Sequence, residues 1–299
     1  MERLSLSGVW PPIPTPFDSQ GKVAHDKLAS NIAKWARTPL AGFVVLGTNG
    51  EFVYLSREEK LEVLRTAREA IPQDRWFIAG TGCESTRATL EMTEQAAAIG
   101  ADAALIVTPG YYTSKMDAQA MKRYYLELAE RSSVPIILYN MPACTGIDLS
   151  AKTVVELAQH SRIVGIKDSS GNVAKLGAII RDAPSSFGVL AGSASFLYPA
   201  LVLGAVGGVA ALANIAPELC CRIFQYAQQG RHDEARRLQL KIIPSNTAVT
   251  ARFGVPGLKR ALDWLGYYGG PVRSPLGPLN DEQAAVLRTI LAEAEILPA

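Results

Sequence analysis

Short apolar or β-branched runs alternate with amphipathic helical patterns through about the first 215 of 299 residues, and this rhythm restricts the fold more than any other feature. The candidate strands are Gly8–Pro14, Gly42–Gly47, Trp76–Gly80, Ala103–Val107, Pro135–Asn140, Ile163–Lys167, Phe187–Ala191 and Gly207–Ala211. Between them, helical periodicity covers His25–Arg37, Arg57–Ala70, Thr86–Ile99, Ala118–Arg131, Ala151–Gln159, Val173–Arg181 and Phe196–Leu203. Parallel strands need crossover connections, and one strand plus one helix per roughly 20–35 residues argues for a parallel sheet. Eight such strands favour a closed (β/α)8 TIM barrel over an open doubly wound sheet, although periodicity by itself leaves closure open. Ser56 with Glu59 three residues later is a capping-box signature for the second helix.

From about residue 216 the strand patterns stop. Pro217–Gln229, Asp233–Ile243, Leu258–Leu265 and Asp281–Ala294 read as helices separated by Pro- and Gly-rich turns. We read residues 1–215 as the barrel and residues 216–299 as a C-terminal helical extension packed on it in one folding unit. A formal net charge of +2 with no basic run argues against a nucleic-acid partner. Cys83, Cys144, Cys220 and Cys221 form no CxxC pair, which points to a reducing compartment rather than a disulfide scaffold. Met1–Gly8, with Glu2 and Arg3, lacks the apolar core of a secretory signal. The most apolar stretch, Leu197–Ala213, is broken by Pro199 and glycines, so no membrane span is expected. The expectation is a soluble, cytoplasmic protein.

In a (β/α)8 barrel the chemistry sits at the C-terminal strand ends. Lys167 stands there, closing the apolar run Ile163-Val164-Gly165-Ile166. A lysine in that position loses hydration, which favours the neutral amine, and the neutral amine attacks ketones. A lysine that snorkels to solvent would fit the same position. Tyr139 ends the preceding strand, where a phenol can relay protons or simply pack in the core. The three histidines, His25, His160 and His232, lie away from the strand ends, and neither metal-ligand spacing nor a GxSxG elbow is present. Gly47-Thr48-Asn49-Gly50-Glu51 follows a strand but is not a dinucleotide fingerprint. The Gly192-Ser193-Ala194 turn before a helix offers amides to a phosphate or a carboxylate.

Three motifs occur in order: Gly47-Thr48-Asn49-Gly50-Glu51; Tyr139-Asn140-Met141-Pro142 with Thr145-Gly146; and Gly165-Ile166-Lys167-Asp168-Ser169. On these the chain resembles the dihydrodipicolinate synthase/N-acetylneuraminate lyase superfamily of Schiff-base aldolases over essentially its whole length. The resemblance implies a barrel with a helical extension, usually a homotetramer, acting on a small 2-oxo acid. It implies an imine on Lys167, a proton shuttle at Tyr139, and a Thr48–Asn49 turn that holds the substrate carboxylate. It also implies that a tyrosine of the Thr108-Pro109-Gly110-Tyr111-Tyr112 segment, Tyr112 or Tyr111, reaches a neighbouring subunit's site. One departure matters. The synthases carry an arginine two residues after the motif proline, and Cys144 stands there. A thiol cannot make arginine's bidentate grip on a carboxylate, which argues against lysine-biosynthetic activity.

Further stretches resemble the 4-hydroxy-2-oxoglutarate aldolases of animal mitochondria: Gly82–Thr86, Leu190–Ala194, Gly204–Gly208, Arg252–Lys259, and Gly266–Pro271 with Arg273. The expected reaction cleaves 4-hydroxy-2-oxoglutarate to pyruvate and glyoxylate. The 2-oxo acid would form a protonated imine on Lys167, Tyr139 would take the C4 hydroxyl proton, and Thr48 would orient Tyr139. Ser169 would contact substrate from the loop after Lys167. No cofactor is expected beyond this covalent imine, and no metal. A lyase or dehydratase of a 2-keto-3-deoxy sugar acid would use the same imine. A non-catalytic 2-oxo-acid binding protein is a more remote alternative.

Overall fold

The computed structural model describes residues 5–298; Glu2 and Arg3, on which the expectation about a leader rests, lie outside the described residues. Eight parallel strands form the sheet: β1 (Gly8–Trp10), β2 (Gly42–Val45), β3 (Trp76–Gly80), β4 (Ala103–Val107), β5 (Ile136–Asn140), β6 (Ile163–Asp168), β7 (Gly188–Ala191) and β8 (Gly207–Val209). From β2 to β8 each strand pairs with its neighbours in sequence, and β1 pairs with β8. The ring closes between β1 and β2, where Ala41 N donates to Val9 O (3.0 Å), Val44 N to Pro11 O (3.1 Å) and Ile13 N to Val44 O (2.9 Å). The fold is therefore a TIM barrel.

The strands are shorter than their apolar runs at the first, second and eighth positions. Prolines at 11 and 12 cannot donate to a ladder, so β1 ends at Trp10 and only an isolated bridge, Pro12 to Val44, continues it. Successive side chains alternate faces. Trp10, Val44, Ile78, Leu105, Ile137, Leu190 and Val209 fill the barrel interior, while Val9, Phe43, Phe77, Ile106, Leu138 and Ile166 pack outward against the helices. Fully burying one such aliphatic side chain stabilises the fold by about 1.5–3 kcal/mol.

The helices α1 (His25–Trp35), α2 (Arg57–Ala70), α3 (Thr86–Ile99) and α4 (Ala118–Arg131) sheathe the first half of the barrel. The short α5 (Pro142–Thr145), with α6 (Ala151–Leu157), α7 (Val173–Asp182) and α8 (Leu197–Val202), surrounds the second half. At α2 the capping box is formed: Glu59 N donates to Ser56 Oγ (3.2 Å) and Ser56 N to Glu59 Oε2 (2.9 Å).

The extension comprises α9 (Pro217–Gln228), α10 (His232–Thr247), a π-helical turn (Ala248–Arg252), α11 (Gly254–Trp264) and α12 (Asp281–Glu293). Two boundaries differ from the sequence pattern. α10 runs through Pro244, a residue expected to end it, and α11 starts at Gly254 rather than Leu258. Pro244 removes the bond to the carbonyl four residues back, and that residue, Leu240, is 63% exposed, so water can take the bond's place. No helix among the described residues is long and apolar enough to cross a membrane.

Candidate active site

Strand alternation decides what reaches the barrel mouth. Along β5 Ile137 and Tyr139 face inward; the β5–β6 register sets them opposite Gly165 and Lys167. The amine and the phenol are thus neighbours by register. Lys167 Nζ lies 4.0 Å from the Tyr139 ring centroid, and the residues are 3% and 4% exposed. The Tyr139 hydroxyl lies 2.9 Å from Thr48 Oγ1, which belongs to the turn after β2. Amine, phenol and threonine hydroxyl form one row across the mouth.

The residue after the lysine points elsewhere and anchors the strand ends. Asp168 is fully buried; its Oδ2 accepts from Lys175 Nζ (2.8 Å) and Asn140 Nδ2 (2.8 Å). Its Oδ1 accepts from Ser170 N (2.9 Å) and Ser170 Oγ (2.5 Å). Asn140 Nδ2 also donates to Asp148 Oδ1 (2.7 Å), and Asn140 Oδ1 accepts from Leu149 N (2.9 Å). No buried side-chain nitrogen or oxygen of this cluster lacks a partner, the condition under which buried charge holds a geometry.

A cavity of about 420 Å³ opens above the row. Thr48, Asn49, Tyr139, Lys167, Ser169, Gly192 and Ser193 all line it, so seven of the eight site residues expected from the sequence come together. Asn49 Nδ2 is buried in its wall without a hydrogen-bond partner among the described residues. Leaving such an amide unsatisfied costs about 1–3 kcal/mol. Gly192 must be glycine here: a Cβ would stand 2.1 Å from Ser169 Oγ and 2.6 Å from Asp168 O. Ser169 Oγ donates to Gly192 O (3.4 Å), and Ser193 Oγ accepts from Asn246 Nδ2 (2.9 Å).

The eighth residue, Tyr112, does not line this cavity; it is 69% exposed, edge-on to Tyr111, which is 78% exposed. Tyr111 lines a second cavity of about 600 Å³ that meets the first at Thr48 and Cys144. Partial burial pushes the Cys144 thiol up, against the lowering pull of Lys167. Among the described residues, Lys167 is the only charged side chain lining the first cavity, so no guanidinium replaces the missing arginine. Nor do the described residues hold a group of three or more His, Cys, Asp or Glu arranged for a metal.

Sequence reasoning missed one wall. Val249, Thr250, Ala251, Gly254 and Val255 close the cavity from the π-helical turn and the start of α11. These residues follow no strand, so a search of strand ends passes them over. Only Gly254 and Val255 fall in a stretch the sequence singled out, Arg252–Lys259; Val249, Thr250 and Ala251 carried no signal.

The family model described as "Dihydrodipicolinate synthetase family" matches residues 5–294. The chain belongs to the dihydrodipicolinate synthetase family. Relatives in this family carry different activities at similar distance. A 4-hydroxy-tetrahydrodipicolinate synthase of Methanothrix thermoacetophila is 36% identical, over 96% of each chain. The L-threo-3-deoxy-hexylosonate aldolase of Hypocrea jecorina is 34% identical, over 96% of this chain and 95% of the relative. A probable mitochondrial 4-hydroxy-2-oxoglutarate aldolase of Emericella nidulans is also 34% identical, over 98% of this chain and 96% of the relative. The crystal structure of a dihydrodipicolinate synthase from Acinetobacter baumannii, complexed with pyruvate, superposes with a TM-score of 0.93 at 33% identity, covering 98% of this chain and 100% of that one. Membership in the dihydrodipicolinate synthetase family makes the chain a lyase-type or synthase-type barrel protein. Identity does not choose among the substrates.

Proposed function

We propose that this protein is a class I aldolase in which Lys167 forms an imine with a 2-oxo acid. The reading rests on one observation: the Lys167 amine over the Tyr139 ring, with the Tyr139 hydroxyl bonded to Thr48, at the floor of a cavity with no other charged side chain. The substrate ketone loses its oxygen as water and becomes a protonated imine on Nζ. That cation accepts the electron pair of the breaking C3–C4 bond while Tyr139 removes the C4 hydroxyl proton. An aldehyde leaves, the enamine is protonated, and hydrolysis frees pyruvate and the lysine. The Thr48–Asn49 turn holds the carboxylate next to the ketone, making attack effectively intramolecular. Ser169 and Ser193 face the same space.

For the substrate we propose 4-hydroxy-2-oxoglutarate, cleaved to pyruvate and glyoxylate. The mitochondrial relative's name and the shared tail motifs support it, and the Ser193 hydroxyl, which accepts but donates to no group of the described residues, is placed to meet the second carboxylate. The absence of a second cation from the cavity lining favours a second reading, a 2-keto-3-deoxy sugar acid whose departing end is neutral. The same feature, with Cys144 in the arginine's place, speaks against the synthase reaction. On either substrate the site is completed by Tyr112 from a second copy in a homotetramer, which would account for its exposure in one chain.

The test is pyruvate release from both substrates, with borohydride trapping of the pyruvate adduct. Faster release from 4-hydroxy-2-oxoglutarate with glyoxylate recovered supports the proposal, and preference for the sugar acid replaces the substrate only. An adduct that persists after Lys167→Ala refutes the imine assignment. Binding of pyruvate without turnover of either substrate would leave a binding protein.

A further inference from the structure

The glycine- and tyrosine-rich stretch from α11 to Arg273 contributes no group to the imine chemistry, yet it is pinned to the first half of the barrel. Tyr268 exchanges two hydrogen bonds with Asn31 of α1 (2.8 and 2.9 Å) and donates its hydroxyl to Phe17 O (3.0 Å). Gly269 and Gly270 permit this: a Cβ on Gly269 would stand 1.9 Å from Lys259 O, and one on Gly270 2.7 Å from Phe17 O. The strap therefore lies directly on Lys259, a lysine only 1% exposed.

Lys259 reaches across to the turn that follows β2. Its Nζ lies 2.5 Å from Glu51 Oε1, donates to Pro271 O (2.9 Å) and sits 4.3 Å from the Phe17 ring centroid. Glu51 is 2% exposed and has φ 53°, a left-handed conformation that a non-glycine residue adopts only under constraint. Its other oxygen, Oε2, accepts from Arg273 N (2.8 Å). The Arg273 guanidinium is bidentate on Glu59 of α2 (2.7 and 2.8 Å). Glu51 closes the turn itself, since Glu51 N donates to Thr48 O (3.1 Å). The backbone that aims Thr48 at Tyr139 and Asn49 into the cavity is thus held from behind by a charge on the C-terminal extension.

We infer that Lys259 is a positioning residue: through its ion pair with Glu51 it fixes the Thr48–Asn49 turn in the orientation that receives the substrate carboxylate. The inference rests on the proposed imine reading for the identity of the ligand. Burial pushes the Lys259 amine down to about 8, although Glu51 raises it and Asp263 adds to that rise while Arg273 lowers it. Arg260, Asp263 and Asp281 line an outer cavity with this lysine, and Glu59 connects to it through Arg273. As pH rises through about 8 the lysine loses its charge and its hold on the turn weakens.

The experiment uses the full-length protein and pyruvate as the probe. The pyruvate concentration for half-maximal borohydride trapping on Lys167, and KM and kcat for cleavage, are measured from pH 6.5 to about 9.5, spanning the Lys259 value. In Lys259→Met the half-saturating concentration and KM should rise about tenfold, with kcat within about threefold, because carboxylate binding is lost more than chemistry. The wild type should show weakening pyruvate binding as pH rises through 8 that the variant lacks. Glu51→Gln, nearly isosteric, supplies the same comparison where Lys259→Met does not fold, and should raise KM in the same direction. Unchanged half-saturation in a folded variant, or an identical alkaline limb in variant and wild type, overturns the inference while the imine reading stands. No pyruvate adduct in the wild type overturns both.

Discussion

Replacing Tyr139 with phenylalanine removes one oxygen and leaves the ring in place. The ring is 4% exposed and supports the Lys167 amine at 4.0 Å, so the amine should keep its seat and the proposed imine should still form. What disappears is the bond to Thr48 Oγ1 and, on the proposed mechanism, the proton relay. A positioned acid–base group contributes about 10²–10⁴-fold to rate. At about 1.36 kcal/mol per decade, kcat should fall by the equivalent of roughly 2.7–5.4 kcal/mol. The lost hydrogen bond adds about 1 kcal/mol of destabilisation, since Thr48 is only partly buried and water can take its place. Pyruvate release gives kcat, and mass spectrometry after borohydride reduction shows whether Lys167 is still trapped. The expected pair of results is a large loss of turnover with trapping retained. A kcat within tenfold of wild type would refute the relay, and loss of trapping would show that the hydroxyl, not the ring, holds the amine.

Two further outcomes follow from the charges around the site. Lys175→Met leaves Asp168, fully buried, without the cation 2.8 Å away. Breaking such a pair typically costs about 3–5 kcal/mol, visible as a lower denaturant midpoint, and a loss below about 1 kcal/mol would mean the hydrogen bonds alone carry Asp168. The Arg273 guanidinium beside Glu59 holds that carboxyl below its usual 4.5, with a smaller contribution from the Ser56 amide. The unfolded chain therefore binds the proton first, so this stabilisation is present above pH 4.5 and is lost as pH falls through the lower folded value. Glu59→Gln should lower the thermal midpoint at neutral pH and flatten its decline below pH 4.5. The 30% exposure of the side chain keeps the effect modest, and an unaltered acid limb would contradict it.

Much of the architecture is written locally. Eight apolar runs separated by helical periods are enough to specify parallel strands, because a period of two and a period of 3.6 bury different residues. Lys167 and Tyr139 were visible for the same reason: each is a polar residue ending an apolar run, and their strands adjoin. Ser56 and Glu59 announced the start of α2 because a cap is a contact between residues three apart. The motifs placed Thr48, Asn49, Ser169, Gly192 and Ser193 at strand ends, where the barrel gathers them.

Contacts between distant segments left no such trace. Pro244 reads as a helix end, yet α10 passes through it and the π-helical turn beyond carries Thr250 to the cavity. Glu51 and Lys259 stand 208 positions apart in sequence (259 − 51), and no periodicity relates a β2 turn to a late helix. The sequence alone determined which strands form, which face of each is buried, and which lysine stands at the mouth, because those depend on residues a few positions apart. Only the tertiary structure decided that the extension supplies a wall of the cavity and a buried charge behind the Thr48–Asn49 turn. Desolvation and ion pairing act through space, and the chain has to close into a barrel before that space exists.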